Sequence, residues 1–282
     1  MFINKYSGHV LDMWAGVYII VASLLWSTIG VATLLSNDVV IMLITRSLII
    51  AAVGLVVFRS KSKASVLSGM MLGLLFVSYV ASIILTGVGP AAYLLYTAPL
   101  WSSIIALRYG ERMNRRVLSG IALVLISVFL MGLESLVNRT INFYGLLVGL
   151  LTGFIYGSYI STVRYFSSKG LDREVSWGAM PYVLLVVLPL TLYYSSRLNL
   201  QNAGESVIAG SYLAVFCTLI PYRLFAKGAK HLRASTASVI ASVEPVFASV
   251  WDYVIFGRIP TELLLLAYVL MTFALFLVSS EK

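Results

Sequence analysis

The chain has 282 residues, of which 60% are apolar and only 11% are charged, and its mean hydropathy is +0.95. Soluble domains carry about 25% charged residues, so this composition excludes a soluble globular protein and predicts a polytopic membrane protein. The net charge of +9 resembles that of a nucleic-acid-binding protein, but no basic cluster has the interleaved aromatic residues of such a site.

Long apolar runs follow one another from end to end. A helix that crosses a bilayer needs about 20 mostly apolar residues. The first run has no small-residue cleavage site followed by a polar chain, so it is predicted to be a span and not a signal peptide. Alternation with a period of two is absent, which favours an all-α fold. Ten spans are predicted, at residues 13–34, 37–58, 66–86, 89–107, 116–133, 143–166, 175–195, 207–226, 234–256 and 260–279.

Basic residues alternate between the predicted loops. The N-terminus, every second loop and the C-terminus together hold fourteen Lys and Arg residues, whereas the loops between them hold only Arg139, Arg197 and Arg258. Cytoplasmic loops are the ones enriched in Lys and Arg. The pattern therefore predicts a multi-pass protein of the cell (cytoplasmic) membrane with both termini in the cytoplasm, which agrees with an even number of spans.

The chain divides near residue 138 into two halves of five spans each, 1–138 and 139–282, which must have opposite orientations within one integrated membrane domain. The fourth span reads AAYLLYTAPLWSSIIALRYGER and the ninth STASVIASVEPVFASVWDYVIFGR. Both are rich in small residues, and each has a central proline, Pro99 or Pro245, at which the helix is predicted to bend. Inverted repeats are typical of secondary transporters; chance similarity between apolar segments is the alternative.

Charged residues inside predicted spans each need a reason, and three of them are candidates for the site. Glu244 lies near the middle of the ninth span and is predicted either to bind a cationic substrate group or a coupling proton, or to be a structural partner. Arg46 lies about eight residues into the second span and is predicted to be mainly structural, with binding of a substrate carboxylate as the alternative. Arg223 lies near the cytoplasmic end of the eighth span, where a structural, snorkelling role is favoured.

Several aromatic residues lie deeper in the spans than the interfacial belt where Trp and Tyr are usual. Buried Tyr hydroxyl groups need hydrogen-bond partners, which a polar cavity supplies. Packing is the alternative for any one of them. The hypothesis is a substrate cavity contacted by Trp26, Tyr79, Tyr96, Trp101, Tyr156, Tyr159, Ser242 and Glu244.

Gly149, Gly153 and Gly157 recur at intervals of four residues in the sixth span. This pattern forms two overlapping GxxxG steps on one helix face, and such steps are typical of closely packed membrane helices. It predicts packing more than function.

Motifs for other membrane functions are missing from the sequence. There is no Walker A sequence, which argues against ATP-driven transport. Two histidines and isolated intramembrane acids leave no catalytic metal site, so the chain is predicted to be no enzyme and to need no cofactor. An uncoupled facilitator, a membrane enzyme, a lipid scramblase and a structural scaffold remain as alternatives.

Four short segments together resemble the EamA-type transporters of the drug/metabolite transporter superfamily. ASLLWSTIGVA (22–32) is similar to the Trp-containing first span of that family, with Trp26 on the Trp, and ITRSLI (44–49) places Arg46 on its second-span Arg. The fourth-span segment matches the central Pro and terminal Gly-Glu, and the ninth-span segment matches the Glu-Pro pair at Glu244. The sequence departs from the family where Arg258 follows Gly257 in place of a Glu.

This resemblance implies a secondary transporter that works by alternating access without ATP. It implies small organic metabolites as substrates, amino-acid-like solutes among them, with export as the expected direction and a proton as a hypothetical coupling ion. It also implies a central cavity lined by spans 1, 3, 4, 6, 8 and 9.

Overall fold

The computed structural model describes residues 3–86, 91, 94–108, 110, 115–137, 143–195, 198, 201, 203–257 and 261–279. The secondary structure of these residues is helical, and they contain no β-strand. In chain order the helices are α1 (Ile3–Trp26), α2 (Ile29–Leu34), α3 (Val39–Val57), α4 (Lys63–Thr86), α5 (Ala98–Arg108), α6 (Arg115–Val137), α7 (Phe143–Ser168), α8 (Asp172–Val175), a 3-10 turn (Met180–Val183), α9 (Leu184–Tyr194), α10 (Ala203–Ala214), a π turn (Val215–Leu219), α11 (Ile220–Ala229), α12 (Ala234–Ala241), α13 (Glu244–Phe256) and α14 (Glu262–Ser279).

Six helical segments of the described residues are long and apolar enough to cross a bilayer, which confirms a multi-pass, all-helical membrane protein. The predicted fourth, fifth, sixth and tenth spans overlap α5, α6, α7 and α14, and they stay predictions as membrane spans. The six segments are Trp14–Thr33, Val39–Val57, Lys63–Ser82, Asp172–Tyr194, Ala203–Ala229 and Ala234–Ile255.

Three of the predicted spans contain an interrupted helix. The first span breaks at Ser27 and Thr28, whose hydroxyl groups donate to the carbonyls of Leu24 and Leu25 at 2.6 and 2.7 Å. Such side-chain bonds compete with the helical ladder. The fourth span breaks at residues 96–97 and the ninth at residues 242–243.

The two predicted bend prolines each stand second in the helix that follows a break. Pro99 follows Ala98 at the start of α5, and Pro245 follows Glu244 at the start of α13. Proline lacks an N–H and clashes with the preceding turn, so a new helix begins beside it. The side chain of Pro245 lies outside the described part of the chain.

The eighth span changes its winding at its middle. A π turn over Val215–Leu219 joins α10 to α11, and Thr218 Oγ1 donates to the carbonyl of Leu213 at 2.7 Å. Pro221, the second residue of α11, has no N–H to donate to the carbonyl of Cys217 four residues earlier. The π turn therefore exposes polar backbone inside the bundle.

The glycine face of α7 packs closely against the fourth span. A methyl group placed on Gly153 would lie 2.1 Å from Thr97 Oγ1, and one on Gly157 would lie 2.7 Å from the carbonyl oxygen of Ala98. Only a hydrogen atom fits at these positions. The close packing predicted from the GxxxG steps is confirmed.

The helices are joined around a core of aromatic side chains. Tyr222 of α11 packs its ring at 5.1 Å from that of Trp26 and at 5.6 Å from that of Tyr159. Phe225, one turn further along α11, is fully buried against Trp26. On this side of the bundle α1 packs on α11 and α4 packs on α7.

Candidate substrate-binding cavity

A cavity of about 150 Å³ lies next to the helix breaks, between α1, α2, α3, α4 and α13. A cavity of roughly this size elsewhere accommodates benzene, so the space suits a small organic solute. Its walls are apolar and aromatic except for two charged side chains. The aromatic and charged side chains that line it are Trp26, Arg46, Phe76, Tyr79, Tyr96, Tyr156, Tyr222 and Glu244.

Five of the eight predicted contact residues line this cavity together. They come from four different helical segments and the fourth-span break, so no local sequence pattern joins them. These five are Trp26, Tyr79, Tyr96, Tyr156 and Glu244.

The other three predicted contact residues lie outside the cavity. The ring of Trp101 packs against Phe154 with the ring centroids 5.5 Å apart, and its indole N–H donates to Thr97 Oγ1 at 3.3 Å. Tyr159 is fully buried in the aromatic core. Ser242 lies in the ninth-span break, where its hydroxyl donates to the carbonyl of Ser238 at 2.9 Å. These side chains face the interfaces between helices.

Two aromatic residues of the cavity, Phe76 and Tyr222, were not predicted from the sequence. Phe76 precedes Tyr79 by three residues on α4, and Tyr222 precedes Arg223 on α11. The signal for Phe76 is present, since Leu75, Phe76 and Tyr79 recur at the spacing of one helix face. No comparable local signal separates Tyr222 from its neighbours, because adjacent helical residues point about 100° apart.

Glu244 places its carboxyl group at the first residue of α13, where the helix dipole favours negative charge. The Tyr96 hydroxyl lies within hydrogen-bonding reach of this carboxyl. Tyr79, Tyr156 and Tyr222 line the same cavity as Glu244. Among the described Lys and Arg side chains, none forms an ion pair with Glu244.

Arg46 also lines the cavity and is buried, at 7% exposure. Val39, Met42 and Leu43 share its face of α3 and also line the cavity. The guanidinium carbon lies 3.7 Å from the ring centroid of Phe76. The Arg46 Nε–H donates to Thr218 Oγ1 of the π turn at 2.8 Å. The side chain is thus both anchored to the eighth span and adjacent to open space.

Arg223 points away from the cavity. Its Nη1 donates to Asp172 Oδ2 at 2.5 Å and lies 3.4 Å from Ser176 Oγ. Lys230 Nζ stands 4.0 Å from the other oxygen of Asp172. This geometry ties α11 to α8 and agrees with the structural role favoured for Arg223.

Two polar donors mark the edges of the cavity. The indole N–H of Trp26 is buried and has no acceptor among the described residues, which is rare for a buried donor. The indole N–H of Trp251 donates to Ser27 Oγ at 2.9 Å. Ser27 lines the cavity, whereas its neighbour Thr28 lines a separate groove between α2, α10 and α13.

The side chains that could bind a metal ion are scattered in the part of the chain that the structure describes. Within the described ranges, no three His, Cys, Asp or Glu side chains lie close enough to hold a metal ion. Cys217 is buried in the π turn, where its Sγ lies 3.3 Å from Thr28 Oγ1.

The described residues form a bundle of helices with six segments long and apolar enough to cross a membrane, and with an internal cavity lined by aromatic side chains. Residues 143–280 match the EamA-like transporter family. The match covers the second half of the chain and confirms the predicted resemblance to EamA-type members of the drug/metabolite transporter superfamily.

Two curated relatives carry similar sequences. An uncharacterized transporter of Archaeoglobus fulgidus is 29% identical over 181 residues, which cover 64% of this chain and 63% of the relative. The uncharacterized transporter YdfC of Bacillus subtilis is 30% identical over 185 residues, which cover 63% of this chain and 58% of the relative. The chain therefore aligns with less than two thirds of the length of each.

A solved crystal structure has the same fold over nearly the whole chain. The superposition covers 93% of this chain and 95% of the other, with a TM-score of 0.77 and 19% sequence identity. At this identity the likeness concerns the fold alone.

Proposed function

We propose that the chain is a secondary transporter that moves small organic metabolites, amino-acid-like solutes among them, across the cytoplasmic membrane by alternating access. The observation that carries this proposal is the internal cavity beside the helix breaks, with aromatic walls and Glu244 at a helix N-terminus. Secondary transporters place their sites at such interrupted helices. The names of the relatives, both transporters, support the same conclusion.

The proposed architecture is ten spans in two inverted repeats, 1–138 and 139–282. The fourth and ninth spans support it. In each, the helix is interrupted for two residues, a new helix begins at the next residue, and the proline is the second residue of that helix. Each span is also followed by a glycine at positive φ. Gly110 has φ +81° and Gly257 has φ +67°. The family match over residues 143–280 corresponds to one such repeat.

Helix contacts support the same two-fold exchange of spans 1–5 with spans 6–10. The contact of α4 with α7 (spans 3 and 6) has its counterpart in that of α11 with α1 (spans 8 and 1). The contact of α3 with α10 (spans 2 and 8) is matched by that of α9 with α4 (spans 7 and 3). The pairing of α6 with α14 (spans 5 and 10) maps onto itself.

The cavity also has the asymmetry expected of one state in an alternating-access cycle. It extends from Trp26 and Tyr222 toward Thr33 and Val39, next to the short connection at residues 35–38. On its other side the aromatic core around Phe225 is fully packed. If the two repeats exchanged conformations, the packed side around Phe225 would open and the side next to residues 35–38 would close. We propose export as the direction of net transport.

The experiment that tests this proposal is substrate counterflow in proteoliposomes, with a panel of radiolabelled amino acids. We expect saturable exchange by the wild type and its loss, by tenfold or more, in Glu244→Gln. Glu262→Gln is the matched control, because Glu262 is also the first residue of its helix but is exposed. Uptake and pH dependence unchanged in Glu244→Gln would exclude Glu244 as the substrate or proton site.

A further inference from the structure

Arg46 carries a charge that no carboxylate among the described residues neutralises in an ion pair. A guanidinium group within a membrane span is expensive and is normally paired with acids or carbonyls. Among the described residues, no carboxylate forms an ion pair with Arg46. The ring of Phe76, at 3.7 Å from the guanidinium carbon, and the Thr218 hydroxyl compensate part of the charge. Part of the positive charge of Arg46 is therefore not compensated by the described residues, and this charge lies beside the cavity.

The donors of the guanidinium are only partly used. A guanidinium group has five N–H donors. The Nε–H is taken by Thr218 Oγ1 at 2.8 Å, and Nη2 makes a long bond of 3.5 Å to the carbonyl of Cys217. The nitrogen Nη1 has no acceptor among the described residues, yet it is not among the nitrogens sealed within the protein. Since Arg46 lines the cavity, these free donors point to a ligand.

We infer that Arg46 is a substrate-binding residue that takes the carboxylate of the solute, with Thr218 as the positioning residue that holds its guanidinium. This inference rests on the proposed transport function. A planar guanidinium matches a carboxylate through two parallel N–H bonds. The weak bond from Nη2 to Cys217 is given up to the ligand, while the Nε–H bond keeps Arg46 on the π turn. Glu244, which lines the same cavity, receives the ammonium group of the same solute.

The cavity dimensions and the two opposite charges define the substrate class as a small zwitterion with an apolar body. A solute without the carboxylate leaves Arg46 unpaired in an apolar site, and an unpaired buried charge weakens binding strongly. A carboxylate carries one negative charge and matches the single guanidinium of the site, whereas a phosphate ester carries close to two. Discrimination between these groups is therefore the property to measure.

Matched ligand sets test the assignment on the full-length purified protein. Leucine, phenylalanine and threonine are each compared with the corresponding amide, which lacks the carboxylate, and with the deaminated acid, which lacks the ammonium group. Inorganic phosphate is the further anion. Thermal shift measures binding, since a ligand stabilises the state that it binds, and counterflow measures transport.

The expected result is binding of the amino acid about 10- to 100-fold tighter than binding of its amide in the wild type, the range for bonds to a charged group. Arg46→Gln loses this preference and binds the two equally. Arg46→Lys keeps the positive charge but lacks the two parallel N–H donors of a guanidinium, so it recovers only part of the preference for the amino acid. Thr218→Val weakens amino-acid binding, and Thr218→Ser, which keeps the hydroxyl, restores it.

Three outcomes overturn the inference. They are equal binding of acid and amide by the wild type, an unchanged preference in Arg46→Gln, and a Thr218→Ser variant no better than Thr218→Val. If Arg46→Gln fails to fold, the Thr218 pair alone decides. Transport of solutes without any carboxylate would overturn this inference and leave the proposed function standing, whereas no counterflow of any solute would overturn both.

Discussion

At the residue scale, the two intramembrane arginines have different surroundings. Arg223 meets Asp172 at 2.5 Å with both side chains mostly buried, at 18% and 16% exposure. Arg46 meets a hydroxyl, an aromatic ring and open space. The sequence predicts a mainly structural role for both, because hydropathy reports the depth of a charge in a span and not its partner. The identity of the partner separates them.

The Arg223–Asp172 pair is predicted to stabilise the contact between α11 and α8. Arg223→Gln leaves the Asp172 carboxylate partly buried without its main donor, so we expect a loss of about 1–3 kcal/mol. Thermal unfolding in detergent measures it. Lys230→Gln is the control, because Lys230 stands 4.0 Å from Asp172 and is 40% exposed, and its loss should stay below about 1 kcal/mol. Equal effects of the two substitutions would contradict the assigned geometry.

At the element scale, small residues decide how closely the helices approach. Gly153 and Gly157 bring α7 against the backbone of the fourth span, and three hydroxyl- or proline-bearing breaks interrupt the helices beside the cavity. The GxxxG spacing and the prolines are local features that sequence displays directly. The break at Ser27 and Thr28 has no proline, and it went unpredicted because serine and threonine are common inside membrane helices.

Enlarging the glycine face is predicted to separate α7 from the fourth span. Gly153→Ala puts a methyl group 2.1 Å from Thr97 Oγ1 and 2.5 Å from the carbonyl of Leu94, so we expect destabilisation by about 1–3 kcal/mol. Gly16→Ala in α1 is the matched control, since no atom lies within 4 Å of the added methyl group. Its melting temperature should be unchanged or raised. A Gly153→Ala variant as stable as Gly16→Ala would argue against the close contact.

The bond from Trp251 to Ser27 is predicted to keep the cavity and the groove apart. Cys217, the only cysteine, lies behind Thr28 and reports on opening of this region. Trp251→Phe removes a bond worth about 0.5–1.5 kcal/mol, so maleimide labelling of Cys217 should accelerate roughly 2- to 10-fold. Ser211→Ala, which loses only a bond within its own helix, is the control. Equal labelling rates in both variants would show that this bond does not restrain opening.

At the scale of the whole molecule, the distribution of Lys and Arg between the loops predicts how the chain is oriented in the membrane. In a Cys217→Ser background, Asn37→Cys and Lys61→Cys place single thiols at exposed positions of consecutive connections. A membrane-impermeant maleimide should label the first in intact cells and the second only after permeabilisation, because the loop of Lys61 is predicted to be cytoplasmic. Labelling of both from the same side would refute the predicted topology.

The membrane class, the family and the packing face of α7 were accessible from sequence because they depend on local composition and short-range spacing. A hydrophobic run of about 20 residues spans a bilayer whatever surrounds it, and Gly at every fourth position marks one helix face. The family resemblance rests on motifs such as the Glu244-Pro245 pair, which are contiguous. None of these features requires knowledge of which helices touch.

The tertiary structure alone decided which deep aromatic residues share the cavity. Trp26, Tyr79, Tyr96 and Tyr156 converge there, whereas Trp101 and Tyr159 pack between helices. Each helical residue points about 100° from the next, so the rotation of a helix against its neighbours determines which side chains reach the centre. That rotation is set by contacts between residues far apart in the chain, such as Arg46 with Thr218. For this reason the sequence shows a charge at position 46, but only the tertiary structure shows that this charge lies beside the cavity.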